Sequence, residues 1–413
     1  MKSSEKNLFK NTFFLYLMQI ANYVFPLLTF PYLTRVLGAE KYGVVVFGNA
    51  VMAYFSLVLE FGFILSATNL CSQYRDDKEK LSKITLGVIN AKIMLAILGI
   101  VVLIVCCNFV DTFSTQKTFF YLSYIGTVLN IFLPDYLFRG IEKMSILTYR
   151  VIFSKFVYTV IIFALIHKAE DYFFVPVATI GGATVSATLT WFEICKKKYI
   201  SFIKVSIKDS LLYLKQASIF FISRIAVSMY TTLNTVLLGL KFPASDLALY
   251  GTANNLTIMC RSMLSPVSDS IYPYMVKNKN YKLVKKLILI FEPVIIAGCI
   301  LLYFIAPFVI RFVCGEGYDG AVIVLRSMLP LIIISLPTYL YGYPVLGALG
   351  KIRVANTSVI IGSVFHIMGL FMLYFFGYMN FISVSVLTFA TEIVVFSIRC
   401  MVIMKKITEE KTK

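Results

Sequence analysis

The chain reads as an all-α integral membrane protein of about twelve transmembrane helices, and three observations carry that reading. Of its 413 residues, 59% are hydrophobic and only 15% charged, where soluble domains are about half apolar and about a quarter charged. Apolar stretches of about 20 residues, the length that crosses a bilayer core, recur from end to end with short polar breaks between them. Lysine and arginine gather in alternate breaks, as topology signals do. The same placement excludes nucleic acid as a partner despite the net charge of +18. The basic residues sit in short loops beside apolar runs, facing anionic lipid, not on a soluble domain.

The spans follow in order. Span one, 11–34, comes after Lys2, Lys6 and Lys10 and contains Pro26 and Pro31. Its length and lack of a small-residue cleavage site make it a span, not a signal peptide. Arg35 and Lys41 separate it from span two, 43–64, which contains Glu60. Arg75, Lys78, Lys80 and Lys83 precede span three, 84–107, which carries Lys92. Lys117 precedes span four, 118–138, which contains Asp135. Arg139, Lys143 and Arg150 lead into span five, 150–167, with Lys155 inside it, and Lys168 separates that from span six, 172–193. The longest loop, near 194–215, carries Lys196, Lys197, Lys198, Lys204, Lys208 and Lys215. Span seven, 216–240, carries Arg224, and span eight, 247–272, carries Arg261 and Asp269, with Lys241 between them. Lys277, Lys279, Lys282, Lys285 and Lys286 precede span nine, 287–310, with Glu292 near its start. Arg311 precedes span ten, 321–346, which carries Arg326 and prolines at 330, 337 and 344. Lys351 and Arg353 precede span eleven, 354–376. Span twelve, 380–402, carries Glu392, and the tail adds Arg399, Lys405, Lys406, Lys411 and Lys413.

Counted by side, 28 lysines and arginines face 6, so the positive-inside rule puts both termini in the cytoplasm. The long basic loop divides the chain into an N-terminal lobe, 1–205, with spans one to six, and a C-terminal lobe, 206–413, with spans seven to twelve. Leu133-Pro134-Asp135-Tyr136-Leu137 in span four is echoed by Leu336-Pro337-Thr338-Tyr339-Leu340 in span ten. An even number of spans per half makes such a repeat parallel, and such architectures bind substrate between the halves.

Charge inside a bilayer is expensive and marks function. Lys155 and Arg326 lie close enough to span ends to snorkel. Lys92 and Arg224 sit about 12 Å in from the cytoplasmic end at 1.5 Å per residue, and Arg261 is near the middle of its span. These three either lock helices together as ion pairs or line a cationic cavity. Among the acids, Glu60, Asp135 and Glu392 are candidates for ion coupling. Asp135 and Arg139, four apart, share a helix face and can pair. Glu392, deep in span twelve, can bind a proton or sodium ion or neutralise a cation.

No catalytic or metal-binding pattern is present. His167 and His366 have no triad or metal-ligand partner at useful spacing, no Walker loop occurs, and the eight cysteines form no CxxC pair. No enzyme activity, cofactor or metal is expected.

Four stretches resemble the O-antigen and capsule-repeat flippases, the polysaccharide transporters of the multidrug/oligosaccharidyl-lipid/polysaccharide flippase superfamily. They are Phe30-Pro31-Tyr32-Leu33-Thr34-Arg35-Val36-Leu37-Gly38; Glu60-Phe61-Gly62-Phe63 with Tyr74-Arg75-Asp76-Asp77-Lys78; Pro134 to Met144; and Gly315-Glu316-Gly317-Tyr318 with Leu346-Gly347-Ala348-Leu349-Gly350-Lys351. Span eight, from Tyr250-Gly251 to Tyr272-Pro273, is similar too. Tyr136 and Arg139 depart from the tryptophan and glutamine expected there. The resemblance implies two six-helix lobes around a central cavity that opens alternately to each side of a bacterial inner membrane, with spans one and seven bending. It implies an undecaprenyl-pyrophosphate-linked oligosaccharide as substrate. Membrane lipids, a glycan polymerase, a chain-length regulator and a coupling H+ or Na+ are the partners it brings. Arg35, Lys92, Arg224 and Arg261 are the candidate residues for the anionic headgroup, and these cations favour an anionic cargo over a drug exporter's organic cations. A glycan polymerase would need a large extracytoplasmic loop, and the longest here is about ten residues. The cell interior is negative, so an anionic headgroup moving outward runs with the field, and flipping without ion coupling is expected.

Overall fold

The computed structural model describes the backbone of residues 3–411 and the side chains of 11, 13–222, 224–226, 228–272 and 274–405. Lys2, Lys6, Lys10, Lys406, Lys411, Lys413 and Pro273 therefore lie outside the residues whose side chains are described. Among the described residues there are helices and no strands.

The first 58-residue helix, α1 (Ser3–Glu60), holds spans one and two. It turns at Gly38, where φ 65° and ψ 173° form a conformation open essentially to glycine alone. At its end Phe61 (φ 42°) and Gly62 (φ 78°) reverse the backbone's hand before α2 (Phe63–Gln73). Helix α3 (Lys78–Phe109) starts at Asp77, whose side chain accepts from the Lys80 N–H at 3.0 Å. That bond holds the exposed carboxyl of Asp77 below the usual carboxylate range. After α4 (Asp111–Ser114), span four is cut into α5 (Lys117–Leu129), a 3-10 turn (Asn130–Phe132) and α6 (Asp135–Gly140). Then come α7 (Met144–Leu165) and α8 (Phe174–Lys197). Span seven is α9 (Ile207–Thr231) and α10 (Leu233–Lys241), interrupted at Thr232, and span eight is α11 (Ala244–Ser262) and α12 (Ser265–Asn278). The last spans are α13 (Tyr281–Cys314), α14 (Ala321–Tyr341) with α15 (Tyr343–Ala348), α16 (Ile352–Phe375) and α17 (Phe381–Lys411).

Nine helical stretches among the described residues are long and apolar enough to cross a membrane. The sequence has twelve apolar runs, and the helices show why the numbers differ. Spans one and two merge into one stretch, Phe13–Gln73. Span four is broken by its 3-10 turn, and span eight by Met263 and Leu264. The outer faces suit hydrocarbon: Phe304, Phe308 and Phe312 all point outward from α13.

The chain divides into two compact units, Met1–Ile225 and Ala226–Lys413, with the boundary inside α9. In the first, Phe63, Val88, Tyr136, Leu137, Leu147 and Ala217 are core residues. Trp191 on α8 donates its indole N–H to the Phe132 carbonyl at 2.9 Å and stacks on Phe202. In the second unit, Met275, Val284, Leu336, Leu340, Leu346 and Ala355 form the equivalent core.

The units share a local device. After α6, the Lys143 N–H reaches back to the Phe138 carbonyl (2.8 Å) across Glu142 at φ 58°. After α15, the Lys351 N–H reaches the Leu346 carbonyl (2.7 Å) across Gly350 at φ 68°. Both are helix ends closed through a left-handed residue. Lys143 and Lys351 are 208 positions apart, whereas the two Leu-Pro-x-Tyr-Leu segments are 203 apart. The sequence echo is therefore five residues out of register with the repeated turn.

Candidate functional site

Among the described residues, three ion pairs hold six of the charges within the spans. In the first unit, Lys92 is 2% exposed and its ammonium bonds a Glu60 carboxylate oxygen at 2.6 Å. Glu60 is the last residue of α1, placed against α3 where the chain turns at Phe61 and Gly62. The Lys92 ammonium also lies over the rings of Tyr136 (5.6 Å) and Phe63 (6.0 Å), a favourable cation–π setting. The other Glu60 oxygen is buried, with no hydrogen-bond partner among the described residues.

Asp135 does not pair with Arg139. Arg150 grips it with two bonds of 2.6 and 2.9 Å. The four-residue spacing suggested a pair within one helix, but Asp135 is the first residue of α6 and its carboxylate reaches α7. Arg150, counted from sequence among the loop charges, is 4% exposed.

In the second unit, Arg261 bonds Glu392 at 2.6 Å and the Ser335 hydroxyl at 2.7 Å. The pair lines a cavity of about 460 Å³. Ser262, Ser265 and Ser268 reach it from the junction of α11 and α12, and Tyr230, Tyr339 and Tyr343 complete a polar, aromatic wall. Arg399, counted from sequence as a tail charge, is buried at the same wall. It donates to Ser358 (3.0 Å) and to the carbonyls of Thr338 (2.6 Å) and Ala355 (3.3 Å). Thr338 lies in the last turn of α14, where a helix leaves carbonyls without an intrahelical partner and attracts a cation.

Of the residues singled out from sequence, Lys92 and Glu60 come together, as do Arg261 and Glu392. Arg35 and Arg224 lie exposed on α1 and α9. Arg326 lies over the Tyr303 ring and donates to its carbonyl. Sequence reasoning missed the three serines gathered at the break between α11 and α12, and Arg399. It also missed His366, which had no local partner but is hydrogen-bonded at both ring nitrogens to distant residues.

A family model described as polysaccharide biosynthesis protein matches residues 8–279. The chain belongs to that family. Among polysaccharide biosynthesis proteins it is similar to two relatives, each named "Putative O-antigen transporter". The one from Escherichia coli K12 is 28% identical, with 84% of this chain and 85% of the relative covered. The one from Shigella dysenteriae is 27% identical, with 94% and 99% covered. The fold is that of solved transporters. An inward-facing multidrug-resistance MATE transporter of the MOP superfamily superposes with a TM-score of 0.72 at 13% identity, over 93% of this chain and 95% of the other. The lipid II flippase MurJ, inward closed, superposes with 0.69 at 13% identity, over 96% and 87%. This polysaccharide biosynthesis protein thus has an all-α membrane-protein fold, the class that its sequence led one to expect.

Proposed function

We propose that the chain flips undecaprenyl-pyrophosphate-linked oligosaccharide repeat units from the cytoplasmic to the periplasmic leaflet of the bacterial inner membrane. Transport runs by alternating access between lobes 1–205 and 206–413, both termini stay cytoplasmic, and the product feeds O-antigen or other surface-polysaccharide synthesis. The protein does no bond chemistry. A glycan polymerase and a chain-length regulator take the product onward.

The observation that carries this reading is the cavity in the second unit. Each glycan hydroxyl that loses water without a new partner costs free energy, and an isolated pyrophosphate in a low dielectric costs far more. Three serines, three tyrosines and the Arg261 guanidinium offer the required partners in one place. An arginine fork suits phosphate oxygens in pairs, where lysine acts as a point charge. Arg35 and Lys92 in the lobe 1–205 and Arg224 in the lobe 206–413 extend the cationic character.

The three acids considered for ion coupling each hold a cation: Glu60 with Lys92, Asp135 with Arg150, Glu392 with Arg261. This favours movement of the anionic headgroup with the membrane field over coupling to H+ or Na+ at those carboxylates.

The test is export of surface glycan in cells. Arg224→Ala abolishes it at near-normal protein abundance, Arg261→Ala abolishes it per folded protein because it also leaves Glu392 unpaired, and the lysine variants restore part of it. Wild-type export by both alanine variants refutes the cargo assignment.

A further inference from the structure

On α10, Leu233, Leu237 and Leu240 recur at steps of four and three, so they lie along one face. On α16, Ile367, Leu370 and Tyr374 recur at steps of three and four and do the same. The two faces, with Met379 beyond the end of α16, enclose a cavity of about 520 Å³ within the second unit. It is distinct from the polar cavity around Arg261, and the two share no lining residue. Leu370 and Met379 are buried and make its floor, whereas Leu240 and Ile367 are exposed and make its lips. The groove therefore opens sideways, toward hydrocarbon.

Its one charged lining residue is Lys241, the last residue of α10. The ammonium lies over the rings of Phe242 (5.5 Å) and Tyr374 (5.9 Å) and donates to the Met379 carbonyl at 3.4 Å. Lys92, Arg150 and Arg261 are each neutralised by an acid. Among the described residues no carboxylate pairs with Lys241, so rings and a carbonyl orient its charge without cancelling it. An apolar slot that ends at an uncompensated cation is complementary to an amphiphile with a negative head. Depth selects which one. From Leu233 to Lys241 is about 12 Å at 1.5 Å per residue, and one leaflet of a hydrocarbon core about 30 Å thick is about 15 Å deep. A fatty-acyl chain reaches that far with its phosphate level with Lys241, and a polyprenyl tail far exceeds it.

We propose that this groove is a binding site for an anionic diacyl phospholipid, with one acyl chain between α10 and α16 and the headgroup phosphate on Lys241. Assignment of the lipid to the outer leaflet rests on the cytoplasmic termini proposed above. The preference for a negative headgroup rests neither on that sidedness nor on the cargo of the polar cavity.

The test is fluorescence quenching of the full-length protein in phosphatidylcholine vesicles. Increasing fractions of phosphatidylglycerol or of phosphatidylcholine, each brominated in its acyl chains, serve as the quencher. Phe371→Trp reads the groove, where Phe371 is an exposed part of the wall. Phe304→Trp reads the ordinary lipid-facing surface of α13, and the wild-type emission of Trp191 is subtracted from both. Phe371→Trp is quenched at a roughly fivefold lower fraction of the phosphatidylglycerol than of the phosphatidylcholine, the attraction of one lysine for anionic lipid. Phe304→Trp responds equally to the two. Adding Lys241→Gln to Phe371→Trp removes the preference, and adding Lys241→Arg keeps it. Equal quenching of Phe371→Trp by the two lipids, the same preference at Phe304→Trp, or a preference that survives Lys241→Gln overturns the site. So does relief of the quenching by undecaprenyl phosphate at a lower mole fraction than the brominated lipid, which gives the groove to a polyprenyl chain. If Lys241→Gln does not fold, the comparison of the two reporters with Lys241 in place decides.

Discussion

At the scale of single residues, the most informative pair is Arg261 and Glu392, 2.6 Å apart with side chains 18% and 5% exposed. Removing one partner of a buried pair leaves an uncompensated charge and costs about 3–5 kcal/mol, while replacing both by apolar residues of similar size is often neutral. Glu392→Gln should therefore lose several kcal/mol of stability, and Arg261→Met with Glu392→Leu should recover it. If the pair also serves the cargo, the recovered double variant still exports no glycan. Normal export by that stable double variant reduces the pair to a helix lock. Which residues carry buried charge was legible in the sequence, because Lys92, Arg261 and Glu392 stand alone in apolar runs. Their partners were not, since Glu60 and Lys92 are 32 positions apart and Arg261 and Glu392 are 131 apart. The same blindness to distant partners hid His366 and placed Asp135 with its helical neighbour Arg139. Arg150 and Arg399 were misread because a buried arginine near a span end has the same sequence signature as a loop charge.

At the scale of elements, the glycines rank by what a methyl group would meet. A Cβ on Gly62 would come within 2.8 Å of the Phe220 Cβ and 2.9 Å of the Phe221 backbone nitrogen, on a residue already at positive φ. Gly38 also has positive φ, with open space around it, so its substitution carries only the conformational strain of about 1–3 kcal/mol. Gly298 is helical, at ordinary φ, with nothing within 4 Å, and alanine there gains up to about 1 kcal/mol. Melting temperatures should thus fall in the order Gly298→Ala, Gly38→Ala, Gly62→Ala. Equal values for the three variants would contradict the tight turn between α1 and α2. The order of the spans was readable from the apolar runs. The breaks were not: Pro134 and Pro266 stand beside those at Asn130–Phe132 and Met263–Leu264, but proline is common inside spans, and Thr232 carries no such mark.

For the whole molecule, the alternation of basic loops makes a direct prediction of sidedness. Reporter fusions near 111–116 and 315–319 should read as periplasmic, and fusions near 200–206 and 278–280 as cytoplasmic. A periplasmic signal near 203 breaks the twelve-span order, because six spans must precede that loop. The all-helical membrane class was legible from composition alone. The basic loop near 205 remains the boundary between the proposed lobes, and the compact units meet at Ile225 and Ala226 inside α9.

Trp191 is the only tryptophan in the chain. It bonds the 3-10 turn of span four on one side and stacks on Phe202 of the long basic loop on the other. Ultraviolet emission excited at indole wavelengths therefore originates from a single address. Excited at the red edge of the indole band, where the 26 tyrosines barely absorb, a shift in its colour or lifetime reports on that junction of α8, the turn and the loop with no dye attached.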